Sequence, residues 1–404
     1  MGIKGLQKYL HEKYPHLFKK VNIYKFHQGK IAIDASGIAY AYWHPMQDKI
    51  INRMTNPIEE LDVDQIVDLW FQNIWSFLGK LLRLGITPVM VFDGTPPVEK
   101  AEVLKSRAEE RIEAHQKILD FRTLLKAKDP ILRTPEDLKK MKNLHYPAKF
   151  LNGDHFSLLK VFCNGLGIPV LQAKNEAEEL CALLCREKLV SAVYCRDIDS
   201  LAHLAPCWIY GKTDTKEFVK ERHEYIEQFE YVLMSEVLQT LNLSEATFVD
   251  LCIMCGCDYN TNIKFVGPAS SYKKLKVAKS IDNLEIVGVE VLKHQMCRER
   301  FARRRYEDAC EKPDYQLEVD RKCFETYSKE YLERCKMDHL VPHLDSIYGT
   351  FPKESKLVDL GPPEIDLSKI KIDFSKISFA ITPNVISEEK TEPQNLIDLS
   401  KLKL

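Results

Sequence analysis

The sequence contains no apolar run of membrane-spanning length and no apolar segment typical of a secretory signal at its amino terminus. No cysteine precedes Cys163, and the 12 cysteines end at Cys335. We therefore expect a protein that does not enter membranes and that keeps reduced thiols inside the cell.

An excess of charge of one sign is also missing. The 58 Lys and Arg residues balance 59 Asp and Glu residues, for a net charge of -1. This balance does not exclude a nucleic-acid partner, because a basic surface can be offset by an acidic pocket elsewhere. With 404 residues, 45% of them hydrophobic, the chain suffices for one large domain with appendages or for two smaller domains.

Three short apolar segments are each followed by, or end in, an aspartate. They are 30–34, 88–93 and 191–195. Apolar residues recur at helical spacing between them, over 63–84 and 156–166. Buried parallel strands joined by helices have this pattern. We therefore predict an α/β fold with a mostly parallel central sheet flanked by helices.

We divide the chain into the regions 1–97, 98–150, 151–290, 291–350 and 351–404, of which the second and the last differ in composition from the rest. The second region is rich in Lys, Arg and Glu and interrupted by prolines, which predicts solvated helices that project from the core. A charged surface helix pair is the alternative. The last region is a tail with a weak repeat of Ile-Asp-Leu/Phe-Ser-Lys, for which an interaction segment and a disordered low-complexity stretch are both open.

Acidic residues follow the predicted strands. Sites in open α/β sheets form beyond the carboxyl ends of the strands, so Asp34, Asp93 and Asp197 are expected to meet at one edge. Asp199 comes two residues later. For each acid alone, a helix cap or a turn is an equally good interpretation.

Three further acids complete a set of seven. Glu176 and Glu178 open a predicted helix, and Asp258 ends an apolar one. Asn175 and Glu178 also have capping-box spacing, so a structural role stays open there. Clustered carboxylates stay ionised together only when cations bind among them, and their hard oxygens favour Mg²⁺ or Mn²⁺. Two such ions about 4 Å apart can act on a phosphodiester.

Six motifs occur in a specific order and spacing. They are Met1-Gly-Ile-Lys-Gly-Leu6, Ile33-Asp-Ala-Ser36 with Tyr40, Val91-Phe-Asp-Gly-Thr-Pro-Pro97, Glu176-Ala-Glu178, Asp197-Ile-Asp199 and Leu251-Cys-Ile-Met-Cys-Gly-Cys-Asp-Tyr259. Over roughly residues 1–290 the chain thereby resembles the flap endonucleases, within the structure-specific 5′ nuclease superfamily. The resemblance implies a PIN-like nuclease core, a helical gateway and cap over 98–150, and a helix-two-turn-helix near 255–280.

The resemblance also implies a two-metal site. One metal would be served by Asp34, Asp93, Glu176 and Glu178, and the other by Asp197, Asp199 and Asp258, with Glu178 between them. By the same resemblance, Lys100 and Arg107 hold the scissile phosphate and stabilise its developing charge. Without it, both would be interpreted as ordinary surface charges.

Several DNA contacts are implied in the same way. Tyr40 matches a stacking tyrosine, with a half-buried core tyrosine as the alternative, and Gly2 matches a processed amino terminus near the site. Gly267, Lys273 and Lys274 are expected to contact duplex DNA.

The turn after Asp258 departs from the family pattern. A potassium-type site there would use main-chain carbonyls of Asn262, Ile263 and Val266, but Phe265 occupies a position where the family has glycine. Because only glycine adopts positive φ cheaply, Phe265 predicts a different turn geometry and makes K⁺ binding an open question.

Other segments give weaker signals. The five arginines of 298–305 either contact DNA or cover a helix. Cys252, Cys255 and Cys257 have metal-like spacing, but buried thiols are the favoured interpretation. A clamp-like motif begins at Gln394 and lacks its aromatic pair, so sliding-clamp binding is not predicted.

The predicted function is Mg²⁺-dependent cleavage of 5′ flaps, with accompanying 5′ exonuclease activity, in DNA replication and repair. The expected partner is branched or flapped duplex DNA, bound by a monomer in the nucleus, or at a cytoplasmic replication site if the chain is viral. A related 5′→3′ exonuclease or junction resolvase stays open, as does a catalytically inactive DNA-binding factor. The complete set of seven acids speaks against the inactive factor.

Overall fold

The three predicted strands lie side by side in one seven-stranded sheet. The computed structural model describes residues 2–148, 151–302, 304–311 and 317–320. Its strands are β1 (Lys19–Asn22), β2 (Lys30–Asp34), β3 (Thr87–Phe92), β4 (Val170–Gln172), β5 (Ala192–Tyr194), β6 (Cys207–Val219) and β7 (Glu224–Leu233).

The sheet has the strand order β1-β7-β6-β5-β2-β3-β4. Strands β2 to β6 pair with one another in parallel, whereas β7 is antiparallel to both β6 and β1. In this register Asp34 pairs with Val91, and Ile33 pairs with Tyr194. The carboxyl ends of β5, β2 and β3 therefore meet at one edge, which confirms the predicted α/β fold with a mostly parallel sheet.

Helices connect the strands and follow them. In the described part of the chain the α-helices are α1 (Leu6–Lys13), α2 (Ala35–Arg53), α3 (Val63–Arg83), α4 (Ala101–Ala127), α5 (Pro135–His145), α6 (Gly153–Gly165), α7 (Ala177–Arg186), α8 (Asp199–Ala202), α9 (Met234–Leu241), α10 (Glu245–Cys255), α11 (Pro268–Ala278), α12 (His294–Arg300) and α13 (Tyr306–Ala309). None of these described helices is long and apolar enough to cross a membrane.

Two apolar cores lie on the two faces of the sheet. Ile31 and Ile33 of β2 point into the core that contains Trp70 of α3, whereas Ala32 points into the core that contains Phe248 of α10. Alternate residues of a strand face opposite sides of a sheet, so the continuous apolar run of β2 serves both cores. Burial on both faces fixes the strand ends that carry the acids.

The charged region 98–150 contains the long helix α4 and the shorter helix α5. Only Ile118, Arg122 and Leu125 of α4 are buried, as its charged composition predicts. A short 3-10 turn over Pro130–Leu132 separates the two helices, and a capping box of Thr134 and Asp137 starts α5. The prolines therefore mark the break between helices.

The turn between α10 and α11 corrects one expectation. Phe265 was expected to change the turn geometry, yet its backbone is left-handed, with φ of 64°. Its side chain is 91% exposed. The chain therefore keeps a glycine-like conformation here and carries the steric cost of a Cβ atom in it.

Candidate active site

One cavity of about 930 Å³ brings together all seven predicted carboxylates. The acids that line it are Asp34, Asp93, Glu176, Glu178, Asp197, Asp199 and Asp258. Gly2, Tyr40, Lys100 and Arg107 line the same cavity. Residues as far apart in sequence as Gly2 and Asp258 therefore converge where the parallel strands end.

Asp34 is both a strand end and a helix cap. Its carboxylate is 2% exposed and accepts hydrogen bonds from the backbone N–H groups of Ser36 at 2.9 Å and Gly37 at 3.0 Å. These bonds start α2. The cap interpretation of Asp34 and its place in the carboxylate cluster are thus compatible.

Asp93 caps a helix that is distant in sequence. Its Oδ1 accepts a hydrogen bond from the N–H of Ala177 at 2.8 Å, and its Oδ2 accepts one from the Ser36 hydroxyl. The capping box suggested by Asn175 and Glu178 is wrong, because α7 begins at Ala177 and its N-cap residue makes no side-chain cap. The helix that carries Glu178 is therefore fixed to β3 through Asp93.

Gly2 and Ile3 lie in the site beside Asp199. The N–H of Ile3 donates to Asp199 Oδ1 at 2.9 Å. A Cβ atom on Gly2 would lie 2.4 Å from the same oxygen, and Gly2 has φ of 75°. Both facts require glycine at this position.

Lys100 and Arg107 already contact the acids. The Lys100 Nζ donates to Glu176 and lies 3.0 Å from Asp258 Oδ2. The Arg107 Nη2 donates to both Asp258 oxygens, at 3.0 and 3.2 Å. Two cations from the start of α4 thus stand over one side of the carboxylate cluster.

The remaining acids repel one another. Burial and the charge of Asp93 raise the pKa of Asp34 to about 7, and burial and Asp197 raise the pKa of Asp199 to about 7. Burial also raises the pKa of Glu178 well above its ordinary value. At Asp258, burial alone would raise the pKa, but Lys100 and Arg107 lower it. The acids far from those two cations therefore favour additional positive charge.

A buried thiol borders this acidic centre. One ligand atom each of Asp34, Glu178 and Cys195 lies within 4.8 Å of the other two. Cys195 Sγ donates to Asp34 Oδ2 at 3.4 Å, and burial keeps its pKa high, so the thiol stays protonated. The ionisable oxygens are thus the available donors, and this set fits a hard divalent cation such as Mg²⁺.

Tyr40 is half-buried, as a core tyrosine would be, and it also lies at the site, where a stacking tyrosine was expected. Its ring is half-buried, stacks on His44 at 6.0 Å between centroids and meets Phe156 edge-on at 5.9 Å. Because Tyr40 also lines the cavity, a nucleobase could reach the rim of this aromatic group.

The expected duplex contacts lie outside the cavity lining. Gly267 is the N-cap residue of α11, Lys273 is exposed and Lys274 is half-buried. At the expected cation site, the Ile263 carbonyl accepts a hydrogen bond from Val266, whose own carbonyl accepts one from the Asn262 side chain. A bound monovalent cation would have to share these oxygens.

The carboxyl-terminal arginines mostly pair with acids. Arg298 binds both oxygens of Asp250 at 2.7 Å, and Arg304 lies 3.6 Å from Glu179. These contacts favour the interpretation that the cluster covers the core. Arg303 and the clamp-like motif at Gln394 lie outside the described residues.

The closely spaced thiols are part of the second core. Cys252, Cys255 and Cys257 are all buried there. Cys257 Sγ donates to Asn260 Oδ1 at 3.2 Å. This environment agrees with buried thiols.

The cavity residues that were not assigned from the sequence include His44, Arg111, Phe156 and Arg196. Helical spacing was an available signal for two of them, because Arg111 follows Arg107 by four residues and His44 follows Tyr40 by four. Arg196 was visible beside Asp197, but its exposure to the cavity depends on tertiary structure.

Two family models and several known proteins are similar to this chain. The XPG N-terminal domain model matches residues 1–114, and the XPG I-region model matches residues 167–258. Flap endonuclease 1 of Lodderomyces elongisporus is 32% identical over 284 residues, covering 70% of this chain and 68% of the relative. Flap endonuclease 1 of Encephalitozoon cuniculi is 30% identical over 286 residues, covering 70% and 75%.

A solved structure shares the fold. Flap endonuclease-1 from Methanococcus jannaschii has a TM-score of 0.53 and 20% sequence identity, and the match covers 84% of this chain and 98% of that one.

Proposed function

The chain belongs to the flap endonuclease family, and we propose that it is a divalent-metal-dependent nuclease that cleaves flapped DNA at the base of the 5′ strand. The observation that carries this proposal is the single cavity in which seven carboxylates meet Lys100 and Arg107. That combination suits a phosphodiester, whose negative charge increases during cleavage.

The acids would hold two divalent cations, Mg²⁺ by preference with Mn²⁺ as a substitute. Asp34, Asp93 and Glu176 would serve one cation, and Asp197, Asp199 and Asp258 the other. Glu178, which is close to Asp34 and has a raised pKa through burial, would lie between them. Divalent cations bound there supply a water-derived nucleophile at neutral pH and neutralise the phosphate.

The chain's own residues would position the scissile phosphate. Lys100 and Arg107 now donate to Glu176 and Asp258, and both side chains would exchange these acids for the phosphate oxygens when substrate binds. The Tyr40 ring would receive a nucleobase beside the site. Water attacks phosphorus and the bond to the 3′ oxygen breaks, so the products carry a 5′-phosphate and a 3′-hydroxyl.

Duplex DNA would bind beyond the cavity, on α11. Lys273 and Lys274 suit a phosphate backbone, and the N–H groups at the amino end of α11 after Gly267 suit one phosphate. K⁺ at the turn carbonyls of Asn262, Ile263 and Val266 is part of this proposal. A nuclear location is expected for such an activity.

A substrate panel tests the proposal. Labelled flap, nicked, gapped and four-way DNA would be incubated with the protein, with and without Mg²⁺. We expect Mg²⁺-dependent cleavage that is fastest on the flap. Equal cutting of all four substrates would refute the flap assignment, and no cutting of any would leave the inactive DNA-binding factor as the better interpretation.

A further inference from the structure

Arg196 is a cation of the candidate active site that has no role so far. It lines the same cavity as the seven carboxylates and follows β5 by two residues. It is exposed, and among the described residues it makes no hydrogen bond or ion pair through its side chain.

Three other basic side chains that line the cavity make ion pairs or hydrogen bonds within the protein. Lys100 contacts Glu176 and Asp258, and Arg107 contacts Asp258. The Nε of Arg111 donates to a main-chain carbonyl one turn earlier in α4. A guanidinium whose purpose was to neutralise the acids would be expected to contact one of them, as Arg107 does.

Arg196 and Lys100 come after strands that lie on opposite sides of β2. Arg196 follows β5 and Lys100 follows β3, and the order of these strands in the sheet is β5-β2-β3. Burial raises the pKa of Tyr194 to about 12, and the nearby charge of Arg196 opposes that rise, as it does at Tyr42. Both tyrosines pack against the core formed by α2 and α3. Asp258, which Lys100 contacts, follows α10 in the opposite core. Positive charge thus flanks the acids on two sides.

The backbone of Arg196 is well fixed. The preceding Cys195 is buried, and its N–H donates to the Ile209 carbonyl of β6 at 3.1 Å. The following residue is Asp197, one of the seven acids. The position of a ligand bound by Arg196 is therefore fixed relative to the carboxylate cluster.

We propose that Arg196 binds a backbone phosphate of the cleaved strand, next to the scissile phosphate and opposite Lys100 and Arg107. This rests on the proposed function. A guanidinium presents parallel N–H donors that match two phosphate oxygens, and an exposed one loses little hydration before it binds. Together, Lys100, Arg107 and Arg196 would hold two consecutive phosphates in the cavity. Their spacing would determine which phosphodiester bond lies next to the acids.

Equilibrium binding is the first test. The affinity for a fluorescent flap substrate would be measured in EDTA at several salt concentrations for wild type, Arg196→Gln and Arg196→Lys. Arg53→Gln is the matched control, since Arg53 is exposed and ends α2 about 27 Å of helix away from its start. We expect Arg196→Gln to bind about tenfold more weakly, with a salt slope smaller by about 1, and Arg196→Lys to recover part of both.

A neutral methylphosphonate at single positions then identifies the phosphate. A methylphosphonate next to the scissile phosphate should weaken the binding of flap DNA by the wild type. The same substitution should have little effect on binding by Arg196→Gln. The proposal would be overturned if Arg196→Gln and Arg53→Gln had the same DNA affinity and the same salt slope. A change confined to the Mg²⁺ dependence of cleavage would overturn it too, because Arg196 would then act on the acids. If wild type itself neither binds nor cuts the flap, the proposed function has failed instead.

Discussion

Arg300 Nη2 lies 2.6 Å from Glu99 Oε1 and thereby joins the end of α12 to the residue that precedes Lys100. Both side chains are about three-quarters buried, and the contact lowers the pKa of Glu99. Lys100 in turn contacts Glu176 and Asp258. Arg300 of α12 therefore helps to fix the start of α4 beside the acids.

Loss of this contact should slow cleavage more than it weakens binding. Arg300→Gln is expected to lower the single-turnover rate about tenfold with DNA affinity within about twofold, because Lys100 loses its fixed position. Arg300→Lys should recover part of the rate. A double-mutant cycle with Glu99→Gln measures the coupling, and Arg305→Gln is an exposed arginine control. Additive losses, or a changed salt slope of binding, would contradict a positioning role.

Asp197→Ala should separate cleavage from binding. Without this carboxylate a cation loses a ligand, so Mg²⁺-dependent cleavage should fall on the order of a thousandfold or more, while the duplex surface on α11 is unchanged. Single-turnover cleavage and binding in EDTA measure the two effects. Asp48→Ala removes an exposed acid of α2 as a control. Cleavage at the wild-type rate would exclude Asp197 from the site.

Glu227 should make stability depend on acid pH. Burial alone would raise its pKa, but its hydrogen bond and charge pairing with Lys80, together with Lys212, lower the pKa to about 2. The unfolded chain has a glutamate pKa of about 4.3. The ionised pair therefore stabilises the fold above that value, and the gain is lost as pH falls towards 2.

Urea unfolding of Glu227→Gln tests this pH dependence. We expect a loss of roughly 1 to 2 kcal/mol at pH 7, after allowance for solvent screening of the partly exposed lysines. The difference from wild type should shrink below pH about 4.5. Glu217→Gln, an exposed glutamate of β6, is the control. A difference independent of pH would mean that packing, and not charge, is responsible.

Phe265→Gly should stabilise the turn. The backbone at Phe265 has φ of 64°, which costs a non-glycine residue about 1 kcal/mol, and the 91% exposed ring loses no burial. The greater freedom of glycine in the unfolded chain offsets part of the gain. Phe265→Ala, which removes the ring but keeps Cβ, isolates the backbone effect. Equal stability of the two variants would argue against strain at this position.

Much of the fold was available from the sequence because β2, β3 and β5 are short, apolar and buried on both faces. The seven acids could be predicted as a group because parallel strands deliver their ends to one edge. The family resemblance supplied the roles of Lys100 and Arg107, which composition alone presents as surface charges.

Contacts between distant segments were beyond the sequence. The cap on α7 comes from Asp93 rather than from the adjacent Asn175, because the end of β3 happens to reach the first N–H of that helix. Likewise Arg300 meets Glu99 across 201 residues of chain. Phe265 was misjudged because local steric preference is worth only about 1 kcal/mol, which the surrounding turn can override.

The double duty of Asp34 and Asp93 as cluster members and helix caps bears on how this chain could evolve. At Asp93 an uncharged asparagine could keep the bond from the Ala177 N–H through its amide oxygen and donate to the Ser36 hydroxyl through its amide nitrogen. At Asp34 its single oxygen could accept only one of the two backbone N–H bonds. An aspartate codon becomes an asparagine codon by one base change. One base change could therefore produce a catalytically inactive variant that still folds, so this chain could lose nuclease activity without losing its fold.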